Sequence, residues 1–252
     1  MPQYRAHAHP CYGMRERLVW MVTAASVLLA VAVGVALASR HTSKPPPAAT
    51  PSAVDRNAPA ALVKAANRVG FYPTTEPGVG TIESQPASVA QPPSNPNLLP
   101  VGSQAPPLAL RTPQGQRITL ASLRGKAVLV EFFATWCPHC NAEAPHLRAL
   151  DASLPKSRYR FVSVNADGED AASVFAFHRY YGLQYPAVLD PSAHPGSFNQ
   201  PGATGPVSTR YRVESFPTFY VLDRAGRIVW RSDGEQPDAL LRQELVRAAA
   251  RG

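Results

Sequence analysis

The chain has 252 residues, 25 Lys and Arg against 17 Asp and Glu, a formal charge of +8, and three cysteines, too few for a small scaffold held by disulfides. The positive excess divides evenly, with eight basic and four acidic residues in 1–100 and seventeen and thirteen in 101–252. The basic residues of the second part are scattered, without runs or interleaved aromatics, which argues against nucleic acid as a partner.

Residues 18–38 are a run of 21 without a charge, long enough to cross a bilayer as a helix. Arg15 and Arg17 precede the run and Arg40 and Lys44 follow it, so the Lys/Arg balance sets its orientation only weakly. Ala36-Leu37-Ala38 has the A-x-A form of a signal-peptide cleavage site, but the run exceeds the usual apolar core of about 7–15 residues. A retained anchor is favoured, with residues 1–17 as a cytoplasmic tail; both readings deliver the C-terminal part to the extracytoplasmic side. Residues 39–100 read as a disordered linker, because prolines such as Pro45-Pro46-Pro47 and Pro92-Pro93 recur among Ala, Ser and Thr with few large apolar residues. A short helix over 58–69 has nothing evident to pack on. A flexible chain of roughly 60 residues spans on the order of 40–45 Å and would let a tethered domain search the space above a membrane.

A folded domain is expected over 101–252. Residues 108–110 and 116–120 read as short strands around Pro113-Gln114-Gly115. Residues 127–134 form an apolar run broken only by Glu131, as expected of a central buried strand. A helix follows over 137–154, then a strand over 159–165, a helix over 170–181 opened by acidic residues, and a strand over 187–190. A Pro-, Gly- and Ser-rich loop runs to Pro206; a hairpin of 219–223 and 227–231 turns at Arg224-Ala225-Gly226, and 237–250 is a closing helix. Strand–helix alternation followed by an antiparallel hairpin predicts a mixed α/β sheet covered by helices.

The chemistry is concentrated in Trp136-Cys137-Pro138-His139-Cys140, where the apolar strand hands over to a helix. A cysteine at a helix N-terminus is held by unpaired N–H groups and the helix dipole in a field that favours thiolate. The second cysteine lies one turn on, within reach of a disulfide. Zinc sites use the same spacing, but zinc takes about four ligands and the remaining cysteine, Cys11, lies beyond the apolar run. We therefore read a redox dithiol. Cys137 is expected to be the exposed nucleophile and Cys140 the resolving thiol. His139 can stabilise the thiolate by charge or hydrogen bond, or simply face solvent. Pro138 presets the first helical turn and shapes the approach. Trp136 offers an apolar docking edge. Glu131 is either a buried carboxylate with a raised pKa or an outward-facing strand residue. Glu143 lies one turn beyond Cys140. The disulfide is itself the redox group, so neither cofactor nor metal is expected.

These features together resemble the thioredoxin fold and, within it, the membrane-anchored TlpA/ResA-like group of extracytoplasmic thiol-disulfide oxidoreductases. The resemblance rests on Ser122-Leu123-Arg124-Gly125-Lys126, the segment from Val128 through Trp136-Cys137, Glu143-Ala144-Pro145, Phe216-Pro217-Thr218-Phe219, and Asp223-Arg224-Ala225-Gly226. The β-α unit between the first helix and Pro217 favours this group over plain thioredoxin. The resemblance implies that Glu131 relays the proton of Cys140, that Glu143 tunes the dithiol, and that Pro217 is a cis-proline facing it. Phe216 would then pair with an extended substrate. It also implies a single-pass protein of the bacterial inner membrane with its catalytic domain in the periplasm. Its partners would be thiol- or disulfide-bearing proteins, such as cysteines of apocytochrome c, and a membrane redox protein that exchanges electrons with it.

Two departures bear on direction. Pro138-His139 is the pair of DsbA-type oxidants, and Glu131 stands where thioredoxin has Asp and many relatives have Asn. A reductase is favoured over a DsbA-like oxidant or isomerase. From another class, Cys137, Cys140 and a loop histidine such as His194 could bind Cu(I). The P-x-x-x-T-x-x-C pattern of peroxiredoxins is absent, since Thr135 is two residues before Cys137 and no proline precedes it. If 18–38 is a retained anchor, full-length protein will stay in washed membranes and external protease will remove the part beyond about residue 40; a soluble form beginning at Ser39 would establish cleavage instead.

Overall fold

The sheet is organised by β3 (Ala127–Phe133), whose seven residues are all buried. It lies between β4 (Tyr159–Asn165), parallel to it, and β6 (Thr218–Leu222), antiparallel. A strand covered on both faces is apolar at nearly every position, here at all but Glu131, and each large apolar side chain buried there contributes on the order of 1.5–3 kcal/mol. The computed structural model describes residues 58–71, 73, 95–192 and 203–252. The tail 1–17 with Cys11, the span 18–38, His194 and the rest of the linker lie outside these residues. Among the described residues no helix is long and apolar enough to cross a membrane.

The complete sheet has seven strands in the order β2-β1-β5-β4-β3-β6-β7, with β1 at Ala109–Arg111, β2 at Arg117–Thr119, β5 at Ala187–Leu189 and β7 at Ile228–Asp233. Helix α1 is Ala60–Val69, α2 Pro138–Ser153, α3 Ala171–Tyr181, α4 Pro206–Arg210 and α5 Asp238–Ala249. The crossovers β3–α2–β4 and β4–α3–β5 step in the same direction, and right-handed connection puts both helices on one face of the sheet. Phe133 accordingly packs on Phe177 of α3, with ring centroids 5.1 Å apart. Helix α5 packs on β3, β6 and α2. Phe132, pointing the other way, meets Tyr211 and Tyr220. The tyrosine hydroxyls on that face are satisfied locally: Tyr211 donates to the carbonyl of Pro106 at 2.9 Å, and Tyr220 to that of Tyr211 at 2.5 Å.

Three expectations need correction. The helix within the linker does have a partner: Leu62, Val63 and Ala66 of α1 pack with Phe71 against Ala172, Phe175 and Ala176 of α3. Phe71 lies 5.4 Å from Phe177 and 6.1 Å from Tyr181. Residues 170–181 present apolar side chains on two faces, one for the sheet and one for α1, and the second was not recognised. The domain also begins before Val101. Leu98 is buried, Asn95 and Asn97 donate to Glu214, and the amide of Leu99 donates to the hydroxyl of Tyr220 at 3.2 Å. Finally, the sequence assigns no element to 207–210, where α4 lies; a five-residue helix gives little periodicity, but Pro206 at its first position suits a helix start. Phe71→Ala should lower stability by about 1–3 kcal/mol, less than a fully buried phenylalanine would cost, as read from urea denaturation.

Candidate active site

The end of β3 delivers Cys137 to the N-cap of α2, with Pro138 in the first helical position. Both cysteines are free thiols, and both are buried. Cys137 is 4 % exposed and Cys140 0 %, so the nucleophile is not the open residue expected. Next to it in the chain, Trp136, itself 44 % exposed, meets Phe216 edge to face at 6.1 Å. The Phe216-Pro217 peptide bond is cis, and the thiol of Cys137 donates to the carbonyl of Phe216 at 3.5 Å.

The two thiols titrate apart. The Cys140 thiol, hydrogen-bonded to its sulfur, brings Cys137 down to about 7; burial opposes this, while the amides of Cys140 and His139 and the charge of His139 support it. Burial pushes Cys140 well above the ordinary thiol range, aided by the bond to Cys137 and by the negative charges of Cys137 and Glu131. At neutral pH the pair is therefore one partly ionised sulfur backed by one protonated thiol.

Glu131 faces inward, next to this pair. It is 4 % exposed and accepts a 2.5 Å hydrogen bond from Ser163, its register partner on β4. Burial pushes its carboxyl up to about 7, against the lowering effect of the Ser163 hydroxyl and with a further rise from Cys137. Glu143 is also buried, at 0 %, and not a solvated helix residue. One of its oxygens accepts from the amide of Gln236 at 3.1 Å, and the other has no hydrogen-bond partner. Burial holds it well above the usual carboxyl range. His139 is more exposed, and its Nδ1 lies 2.6 Å from Glu235.

Several residues of the site escaped the sequence reading. Glu169 accepts from the amide of Thr135 at 2.7 Å and from the hydroxyl of Thr135, and it also takes the side-chain amide of Asn165 at 2.6 Å. Asn141 donates to the carbonyls of Thr135 (2.9 Å) and Cys137 (2.7 Å) and accepts from the hydroxyl of Tyr181 at 2.8 Å. Trp136 donates to Asp167 at 2.7 Å. An asparagine directly after the second cysteine was a usable signal, because its amide can reach the carbonyl four residues back. Glu169 and Glu235 gave none, lying 34 and 96 residues from their partners.

The AhpC/TSA family profile matches residues 101–231. The chain belongs to the AhpC/TSA family. It is 27% identical over 145 residues to the thiol-disulfide oxidoreductase ResA of Bacillus thuringiensis subsp. konkukian, covering 58% of this chain and 76% of that protein. To the thioredoxin-like protein YneN of Bacillus subtilis it is 32% identical over 129 residues, covering 50% and 68%. A crystal structure from Chlorobium tepidum, described as a thiol:disulfide interchange protein DsbE, superposes with a TM-score of 0.51 at 24% identity, over 60% of this chain and 99% of that one; this likeness shows the fold alone. The domain is thioredoxin-like, and with this kinship and its paired thiols the protein is a thiol-disulfide oxidoreductase.

Glu131 yields a prediction on stability. Unfolded, a glutamate titrates near 4.3, whereas Glu131 titrates at about 7 in the fold. Between those values the folded state holds the extra proton, so stability falls as pH rises through this window and levels off above it. Glu131→Gln removes that loss; between pH 5 and pH 8 the variant should gain on the order of 3 kcal/mol relative to wild type in urea denaturation.

Proposed function

We propose that this protein reduces disulfides of extracytoplasmic partner proteins, with Cys137 as attacking sulfur and Cys140 as resolving thiol. The observation that carries this reading is the split pair: Cys137 brought down to about 7 beside a Cys140 pushed far up. An attacking cysteine near 7 is the thioredoxin situation, whereas that of DsbA lies near 3.5. This direction supports the reductase reading over that of a DsbA-like oxidant, despite Pro138-His139.

The Cys137 thiolate attacks one sulfur of the partner disulfide; a mixed disulfide forms and the other partner sulfur leaves as thiolate. Glu131, as carboxylate, takes the proton of Cys140 as that sulfur attacks Cys137. The Cys137–Cys140 bond then forms, the mixed disulfide breaks and the second partner sulfur departs reduced. Two electrons have passed from the dithiol to the partner, and a membrane redox protein restores the dithiol by the reverse exchange. The sulfurs carry the electrons, and no bound cofactor or metal enters. The backbone carbonyl of Phe216, before the cis peptide at Pro217, lies at the sulfur, where an extended partner segment can pair with it beside the rings of Trp136 and Phe216. Glu143 acts through the loop it anchors. The hydroxyl of Thr135 is engaged by Glu169 and so is not directed to the attacking sulfur, which sets the site apart from peroxidase chemistry.

The uncharged run 18–38 supports a single-pass anchor in a bacterial inner membrane with this domain outside the cytoplasm. Cysteines of apocytochrome c, kept reduced for haem attachment, are the partner implied by the resemblance to the TlpA/ResA-like group.

Cys140→Ser should accumulate mixed disulfides with extracytoplasmic proteins and Cys137→Ser should not; equal trapping by both would overturn the division of roles. Equilibration with glutathione should place the wild-type potential nearer the thioredoxin value of about −270 mV than the DsbA value of about −120 mV. A value close to that of DsbA would make the protein an oxidant.

A further inference from the structure

His139 is joined to the rest of the site from an unexpected direction. Its Nδ1 lies 2.6 Å from a carboxylate oxygen of Glu235, on the loop between β7 and α5. That loop is fixed at both ends of the redox centre. The amide of Gly234 donates to the carbonyl of Pro217 at 2.8 Å, tying it to the cis-proline segment. The amide of Gln236 donates to the buried Glu143 at 3.1 Å, tying it to the catalytic helix. The side chain of Gln236 closes the turn by donating to the carbonyls of Asp233 and Gly234. Glu235 is thus held between two anchored amides, and its side chain is only 15% exposed against 58% for His139.

The charged groups around the pair favour this partnership. Cys137 precedes His139 by two residues, and the charge of His139 acts favourably on the Cys137 thiolate. Glu143, one turn on, senses Glu131, Asp238 and Glu235 as negative neighbours. Asp238, at the start of α5, lies 3.5 Å from His146, and Asp233 accepts from Ser215 at 3.0 Å. Asp233 and Asp238 are thus engaged elsewhere, and Glu235 is placed against His139.

We infer that Glu235 is a positioning residue of the redox centre: it holds the His139 imidazolium beside Cys137 and thereby sets how oxidising the Cys137–Cys140 pair is. A carboxylate on Nδ1 fixes the tautomer and the orientation of the ring and pairs with its charged form. A cation next to the thiolate stabilises the dithiol relative to the disulfide and makes the disulfide more oxidising. Taken alone, the negative charge of Glu235 would do the opposite, so the sign of its effect tells the two roles apart. The inference rests on the thiol–disulfide exchange proposed above.

The test uses the full chain in detergent, equilibrated with glutathione at pH 7, with the ultraviolet absorbance of the thiolate followed against pH. Glu235→Gln should move the Cys137 titration upward and shift the equilibrium about threefold toward the disulfide, equivalent to about 14 mV lower potential at 29.6 mV per tenfold change. In a His139→Ala background the same substitution should lose this shift and leave at most a small change in the opposite direction, from removal of the charge of Glu235 itself. An unchanged potential, a shift toward the dithiol, or an equal shift without His139 would each overturn the inference while leaving the exchange reading in place. A wild-type protein that does not equilibrate with glutathione would remove both.

Discussion

The redox centre depends on how the chain satisfies its backbone between the last residue of β3 and the first turn of α2. There the strand has left its ladder and the helix has not begun its own, so every amide and carbonyl needs another partner. The amide of Ala166 takes the carbonyl of Phe133, Glu169 takes the amide of Thr135, and the side chain of Asn141 takes the carbonyls of Thr135 and Cys137. Loss of one such partner leaves a buried polar group unpaired, at a cost of about 1–3 kcal/mol. The position of the Cys137 sulfur relative to the amides of His139 and Cys140 follows from this framework. Tyr181 carries it one step further, because its hydroxyl bonds Asn141 while its ring packs on Phe71 beside α1.

Around that framework the protein concentrates acids where a dithiol alone would suffice. Glu131 and Glu143 are buried on the side of Cys140, Glu235 stands over His139, and none of the three carboxyls has a lysine or arginine as its hydrogen-bond partner. Their partners are a serine hydroxyl, a backbone amide and an imidazole. Burial, with no such ion pair among the described residues to offset it, raises Glu131 and Glu143.

The parts of this molecule that could be read from the sequence are those whose signal is local. The apolar run before Trp136-Cys137, broken only by Glu131, marked β3 because a strand buried on both faces leaves no alternation. The turn at Arg224-Ala225-Gly226 marked the hairpin, where Asp223 caps the turn by accepting the amides of Ala225 and Arg227. Glu131 was singled out because a carboxylate inside such a run needs an explanation, although its partner, Ser163, was not foreseen. Other features depend on distant pairings. Nothing near Glu235 points to His139, and nothing near Glu169 points to Thr135. Helix α1 was hidden for a related reason. Its surroundings are rich in proline, and its docking face is complementary to Phe175 and Ala176, more than a hundred residues later. The contacts that extend the domain before Val101 were hidden for the same reason, since those of Asn95 and Asn97 are with Glu214.

The enclosure of Cys137 has a consequence for kinetics. Displacement at a disulfide proceeds in line, with the attacking, central and departing sulfurs on one axis. A sulfur 4 % exposed and hydrogen-bonded to the carbonyl of Phe216 leaves few directions for such an approach. A partner must bring its S–S bond end-on to that opening, which an extended segment lying along the cis-proline backbone can do and a disulfide fixed inside a rigid fold cannot.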